Sequence, residues 1–376
     1  MSNKKIKLAI NATNIGPQGG INGLVGYLGA WKHYDFPITL YASEEYIINE
    51  ARKARPDIKI VPFGVGLSYW KHKAFVYARL GKQIHGDGAN VLMSTNMLTP
   101  RCAVPQLVHH RNAYLFLTNQ LFSEINGTVG WKYRLKRYAA VQTIKKSSCN
   151  VYISNYLKGL AESWEPESKK KNHVIYNGVY QKELTSLHDR VDLWHGEPVI
   201  CALQTPAKHK DSVTLIRMLA ELYRIDPGIP WRLKIAGGKD ESWSEIVELA
   251  ENIGVLNHVE FLGYLDRSRV LRLLGESMCM VFTSILEGFG NPPIEAMCSG
   301  CPVVASNCTA IPEVVGDAGL LVEPGNGTAF AEAVLRIHGD GALRDRLKNS
   351  GFERVKQFSW QQSAIKMIEL FQEIAC

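Results

Sequence analysis

Several things are missing from this chain of 376 residues, and each absence narrows what it can be. No run of about 18 apolar residues occurs, so no membrane-spanning helix is expected. The opening residues, Met1 to Lys7, are polar and lead straight into a strand-like segment, so they do not read as a signal peptide. No G-x-G-x-x-G is present, which argues against a dinucleotide site. Cys298 and Cys301 form a single C-x-x-C with no second pair to complete a zinc site, so both are expected to fill small buried positions. Reduced, scattered thiols fit a cytosolic protein. Nucleic-acid motifs, internal repeats and low-complexity tracts are absent as well.

Charge, by contrast, is unevenly placed. Residues 1–185 carry 25 Lys and Arg against 11 Asp and Glu, and residues 186–376 carry 18 against 25, giving the chain its net +7. Such asymmetry points the first half at something anionic. With no nucleic-acid motif in the chain, an anionic bilayer or a lipid-diphosphate at its surface is the preferred partner. Two stretches mix aromatic and basic residues at helical spacing, Ser68 to Leu80 and Trp131 to Lys146. Basic amphipathic helices of this kind can lie on an anionic membrane.

Buried strands alternate with helices along the whole chain. Ile6 to Thr13 reads as a first strand, followed by Gly16-Pro17-Gln18-Gly19-Gly20 and a helix from about Asn22 to Lys32. A strand, a glycine loop and a helix open a doubly wound domain. Gln106 to Asn112 is a strand whose C-terminal end carries His109, His110 and Arg111. Adjacent strand residues point to opposite faces, so at most one histidine lines a given site. In the second half, strands over Val199–Leu203, Leu233–Gly238 and Val259–Tyr264 end in polar or glycine-bearing loops, where open α/β sheets bind ligands.

The most informative stretch runs from Glu287 to Met297, EGFGNPPIEAM, between a strand-like run and a helix. Gly288 and Gly290 permit φ > 0 or close backbone approach. Asn291 reads as the N-cap, with Pro292 and Pro293 in the first turn. A glycine loop feeding a helix N-terminus makes an anion site, and Glu287 and Glu295 add two carboxylates. Such a set fits a ligand bearing both phosphate and hydroxyl groups.

In this form Glu-x7-Glu resembles the signature of retaining family 4 glycosyltransferases of the GT-B fold (glycosyl transferases group 1). The resemblance continues through Cys301 to Ser306, Ile311 to Gly319 and Phe358-Ser359-Trp360, dense in the C-terminal half and thin in the N-terminal half. It implies an α/β protein with two Rossmann-like doubly wound domains facing across a cleft. Residues 1–180 would form the acceptor-binding domain and 181–197 a linker. Residues 198–358 would form the nucleotide-sugar-binding domain, and 359–376 a helix crossing back to the first domain.

The same resemblance implies the site. Glu287 would bind sugar hydroxyls at the reacting centre, and His110, favoured over His109 and Arg111, would face the reacting sugar. Gly19, Gly20, Lys208, Gly237, Tyr264, Phe289, Gly290, Asn291 and Glu295 would bind the donor, Glu295 through the ribose hydroxyls. Family members place an Arg before Pro-x-Lys on the diphosphate. Here Pro206 and Lys208 match, but the Arg position falls on Leu203, with Lys210 or His209 as replacements to consider. No Asp-x-Asp exists to hold a metal, which agrees with the metal-independent transfer the resemblance implies. No cofactor beyond the donor, a UDP- or GDP-sugar, is expected.

The implied activity is a retaining transfer of a hexose-type sugar to a glycan or lipid-diphosphate-linked acceptor, in bacterial surface polysaccharide synthesis. A cytoplasmic protein attached to the inner leaflet is expected, with no nucleic-acid partner. The alternatives are a same-fold nucleotide-sugar epimerase and a non-catalytic nucleotide-sugar-binding module.

Overall fold

Apolar runs without alternation, such as Leu8-Ala9-Ile10 and Cys279-Met280-Val281-Phe282, predict strands covered on both faces, and two all-parallel sheets result. The computed structural model describes residues 5–16, 19–179, 196–238 and 240–375. The chain divides into two compact units, Met1–Tyr180 with Phe358–Cys376, and Gln181–Gln357. Of the expected linker 181–197, all but the last two residues lie outside the described residues.

The first unit holds strands β1 (Leu8–Asn11), β2 (Ile38–Ala42), β3 (Lys59–Pro62), β4 (Val91–Thr95), β5 (Gln106–His110), β6 (Cys149–Tyr152) and β7 (Asn172–Val174). Their order is β3-β2-β1-β4-β5-β6-β7. Leu8 pairs with Ile38 on one side and Val91 on the other, so the winding reverses between β1 and β4. The first helix runs over Gly19–Trp31, starting at Gly19 rather than near Asn22, because both glycines enter its first turn.

The helix Trp360–Ile374 is part of this unit's core. Its Trp360 ring meets Tyr27 edge-on at 5.1 Å, and Phe371 lies 5.6 Å from Trp31. The Trp31 indole N–H donates to the Ala364 carbonyl at 3.2 Å. Gly26 makes the contact possible, since a Cβ there would stand 2.2 Å from the Trp360 ring. Burying Trp360, Met367 and Phe371 contributes about 1.5–3 kcal/mol each.

The second unit holds β8 (Val199–Leu203), β9 (Arg232–Ala236), β10 (Val259–Gly263), β11 (Cys279–Phe282), β12 (Val303–Ser306) and β13 (Gly319–Val322). The order is β10-β9-β8-β11-β12-β13, the doubly wound arrangement that reverses between β8 and β11. Its core gathers Trp231, Trp243, Phe330 and the inward faces of the flanking helices. Cys298 and Cys301 are buried in this unit, as free thiols.

Candidate functional site

The crevice of an open α/β sheet lies where the winding reverses, so the loops leaving β8 and β11 define the place to look in the second unit. They are bolted together. The Thr283 hydroxyl donates to the carbonyls of Lys210 and Asp211, both at 2.9 Å. The Ser284 hydroxyl donates to the His209 carbonyl at 3.0 Å, and the Ile285 N–H reaches the same oxygen at 2.8 Å. Asp211 sits at φ +50° and caps the helix Ser212–Ile225 by accepting from the Thr214 N–H at 3.2 Å. The short turn Lys208–Lys210 is thereby held rigidly at the end of β11.

Held there, Lys210 reaches Glu287: Nζ lies 2.5 Å from Oε1, with the two side chains 18% and 14% exposed. Lys210 also lies over the Phe282 ring, 5.6 Å from its centroid. Lys208, two residues earlier, is exposed. The His209 imidazole is held below its usual pKa by burial first and by the Lys210 charge second. The Glu287 N–H donates to the Thr309 hydroxyl at 3.2 Å, which fixes the loop from its other side.

The glycine turn follows. Gly290 takes φ 112° and ψ 59° and is the residue that caps the helix Asn291–Cys298. The expectation of Asn291 as N-cap is corrected: Asn291 is already helical, because the turn needs a left-handed residue at its boundary and glycine supplies it. Pro292 and Pro293 occupy the first turn and bring no N–H to it. Phe289 is buried, and Asn291 is half-buried. Glu295, one turn further into the helix, pairs with Arg267, Nη1 to Oε1 at 2.5 Å. Arg267 opens the helix after β10, and Tyr264 between them is 61% exposed.

Gly237 lies at the end of β9 with φ +121°, and a Cβ there would come within 2.5 Å of the Gln204 carbonyl oxygen. Its N–H donates to the Gly263 carbonyl at 2.7 Å. The loops carrying Lys208, Gly237, Tyr264, Glu287 and Gly290, and the helix carrying Glu295, thus all follow the C-terminal ends of strands of one sheet. Sequence reading named Lys210 only as a replacement for the missing Arg and did not foresee its pairing with Glu287; Arg267 and the Thr309 support it missed. Only Lys210 left a signal, as a lysine beside the Pro-x-Lys.

Gly19, Gly20 and His110 belong to the first unit. Gly19 and Gly20 begin the Gly19–Trp31 helix, and a Cβ on Gly20 would meet Ile15 at 3.0 Å. His110 does not face an open surface, which corrects the expectation that it faces a sugar. Its ring stacks on Tyr152 at 4.7 Å and meets Phe116 edge-on, fully buried. Asn150 Oδ1, an acceptor, lies 3.0 Å from Nε2, so Nε2 carries the proton. Nδ1 has no hydrogen-bond partner among the described residues. Burial brings the pKa down to about 4, so the ring is neutral near pH 7. His109 points to the other face, against Tyr27, and is equally buried. Helices cover both faces of the sheet, so a ring on either side is interior. Arg111 is half-buried and packs against the first helix: a Cβ on Gly23 would fall 1.5 Å from its Nη1.

Residues 185–354 match the family model described as Glycosyl transferases group 1. An O-antigen chain mannosyltransferase B of Escherichia coli is 31% identical over 185 residues, 47% of this chain and 46% of that protein. A D-inositol 3-phosphate glycosyltransferase of Nocardia farcinica is 32% identical over 185 residues, 47% of this chain and 40% of that protein. The match spans less than half the length of these curated relatives. Anabaena HepE, solved in complex with UDP-glucose, superposes with a TM-score of 0.75 at 16% identity, covering 98% of this chain and 100% of that one. Over residues 185–354 the chain is therefore similar to glycosyl transferases group 1, and the two Rossmann-like sheets are those of the GT-B fold.

Proposed function

We propose that this protein is a retaining glycosyltransferase that moves a hexose-type sugar from a nucleoside diphosphate sugar to a glycan or lipid-diphosphate-linked acceptor. The observation that carries the reading is the glycine turn at Gly290, with Lys208 and Glu287 on loops, and Glu295 on the helix after the turn, at the same end of the sheet. Glu295 accepts from ribose hydroxyls and Glu287 from sugar hydroxyls. Lys208 and the turn at 289–291 meet the diphosphate, whose charge grows as it departs. The bond from the anomeric carbon to the phosphate oxygen breaks, and the bond to the acceptor oxygen forms on the same face. The leaving phosphate takes the acceptor's proton, which retains the anomeric configuration. Neither a metal nor a catalytic histidine has a part in this reading. The names of the E. coli relative and of the HepE complex support surface polysaccharide synthesis and a nucleotide-sugar donor, with mannose the first sugar to test.

Attachment to an anionic membrane surface is the second part of the proposal. On the helix Trp131–Lys146, Trp131, Leu135 and Tyr138 form one exposed stripe, 67%, 57% and 64% accessible. Lys132, Arg134 and Lys136 flank it, and the helix has no acidic residue. An apolar stripe bordered by cations suits the headgroup boundary of an anionic leaflet.

Calorimetric titration with UDP and with GDP, in EDTA, tests the donor site. One nucleotide is expected to bind without metal, and Lys208→Ala to weaken it about tenfold or more, the worth of one charge-assisted bond. Binding of neither nucleotide would refute the reading.

A further inference from the structure

The first unit reverses its winding between β1 and β4, so the loops leaving those two strands frame a crevice of their own. Two further segments are fastened to it. Lys73, on the helix Tyr69–Phe75, donates from Nζ to Asn14 Oδ1 in the loop after β1. The π-helical turn Val76–Leu80 then leads to the loop after β4, where the Arg101 guanidinium lies over the Tyr77 ring at 5.1 Å. The helix Trp131–Lys146 is held to the same loop, because the Thr143 hydroxyl accepts the Leu98 N–H at 3.3 Å. Lys136, about two turns before Thr143, shares its face of that helix and is close enough to Lys73 for the two charges to repel.

Lys73, Arg101 and Lys136 thus stand around one crevice. No Asp or Glu occurs in residues 12–16, 63–82, 96–105 or 131–146, which supply its walls. Like charges gathered without a carboxylate among them are unfavourable until an anion joins them. Burial first, and the Lys136 charge second, hold the Lys73 amine below its usual pKa, a shift that a bound anion reverses. The backbone adds its own sign. Arg101 sits at φ 54°, a left-handed conformation that a long side chain rarely adopts and that strained functional loops retain. A Cβ on Gly81 would fall 2.5 Å from the Arg101 carbonyl oxygen, so the end of the π-helical turn packs directly on the strained residue. Such turns are rare and recur at functional sites.

We propose that this crevice binds the diphosphate of a lipid-linked acceptor, with Lys73, Arg101 and Lys136 as its cations and the exposed aromatic rings at its rim against the lipid. The proposal rests on the transferase reading above and narrows its acceptor to one class. A neutral glycan leaves the cluster unmatched. A bilayer headgroup with a single phosphodiester matches one cation of it. A diphosphate ester spreads its charge over several oxygens, which suits two point-like ammonium groups and one forked guanidinium. The lipid follows from the rim: Trp70 and Tyr77 are 79% and 53% exposed, each about one turn from Lys73, and Lys136 borders the stripe of Trp131, Leu135 and Tyr138.

Farnesyl diphosphate is a suitable probe, titrated calorimetrically into the whole protein with UDP or GDP in excess, whichever the wild type binds, so that the donor site is already filled. Binding is expected under those conditions, with farnesyl monophosphate and inorganic pyrophosphate each weaker by about tenfold or more. Lys73→Met and Arg101→Met should each lower the affinity for farnesyl diphosphate about tenfold, with thermal unfolding and nucleotide affinity unchanged. Lys73→Arg should keep most of it. Equal affinity for the farnesyl mono- and diphosphates would assign the cations to a membrane headgroup, and equal affinity for pyrophosphate would remove the lipid. Displacement of the probe by nucleotide would put it in the donor site. Each of these results overturns the proposal, as does undiminished binding in both methionine variants. If the wild type binds neither nucleotide, the donor reading falls, and the same titrations without nucleotide still decide this crevice.

Discussion

His110 shows how burial reverses the reading of a single residue. In an unfolded chain a histidine takes up its proton near pH 6.5, roughly. In the fold His110 does so only near pH 4, because burial disfavours the charged ring. Between those values the unfolded chain binds the extra proton, so acid favours unfolding. The stabilisation is fully present above the unfolded pKa and is lost as pH falls toward the folded one, by about 3 kcal/mol for this residue. His109, shifted in the same direction, adds to the loss. Urea titrations between pH 4 and 7 should show stability falling as the pH is lowered, and His110→Gln should flatten that slope while leaving nucleotide affinity unchanged. A slope that persists unchanged in the variant would assign the acid sensitivity to other groups. The sequence showed two histidines at a strand end, which is as consistent with a cleft as with a core. Only the covering of both sheet faces, and the Asn150 oxygen beside Nε2, decides between them. The partner of Lys210 was hidden for the opposite reason: a basic residue on a loop says nothing about which carboxylate, 77 positions further on, will meet it.

At the scale of elements far more was legible. The strands of both sheets announce themselves as short apolar runs, because parallel strands are buried on both faces. EGFGNPPIEAM was readable as a strand, a turn and a helix, since glycine and proline act locally. Its boundary was misplaced by one residue because Asn291 and Gly290 both suit a helix start, and only the φ of 112° at Gly290 separates them. Helix-on-helix contacts were not readable at all. Gly26 looked like one of several glycines, yet the Trp360 ring lies against it from the far end of the chain. Gly26→Ala should push that ring away and lower stability by about 3 kcal/mol, checked by chemical denaturation, whereas Gly159→Ala, with open space around it, should not. Equal effects at the two positions would remove the packing argument.

At the scale of the molecule, charge is the feature that sequence and structure report together. The excess of cations in residues 1–185 finds a physical outlet in the exposed stripe of Trp131, Leu135 and Tyr138 with its basic border. Co-sedimentation with vesicles rich in anionic lipid should therefore be strong at low salt and weak at high salt, and it should be weak with neutral lipid throughout. Trp131→Ser with Leu135→Ser should reduce it several-fold without altering nucleotide binding, and an undiminished pellet would overturn the proposed role of this stripe.

The first unit is also discontinuous: the Val179 N–H meets the Phe358 carbonyl at 2.9 Å, closing the unit around a long excursion of the chain. A ribosome makes the two ends of that unit far apart in time. While residues 181–357 are being synthesised, Tyr27 and Trp31 have no Trp360 or Phe371 to cover them. The contiguous second unit can finish first, and the unit begun earliest is completed only when the last helix emerges. A nascent chain halted before Phe358 would carry a finished second unit beside an unsealed hydrophobic core, the kind of surface that chaperones recognise.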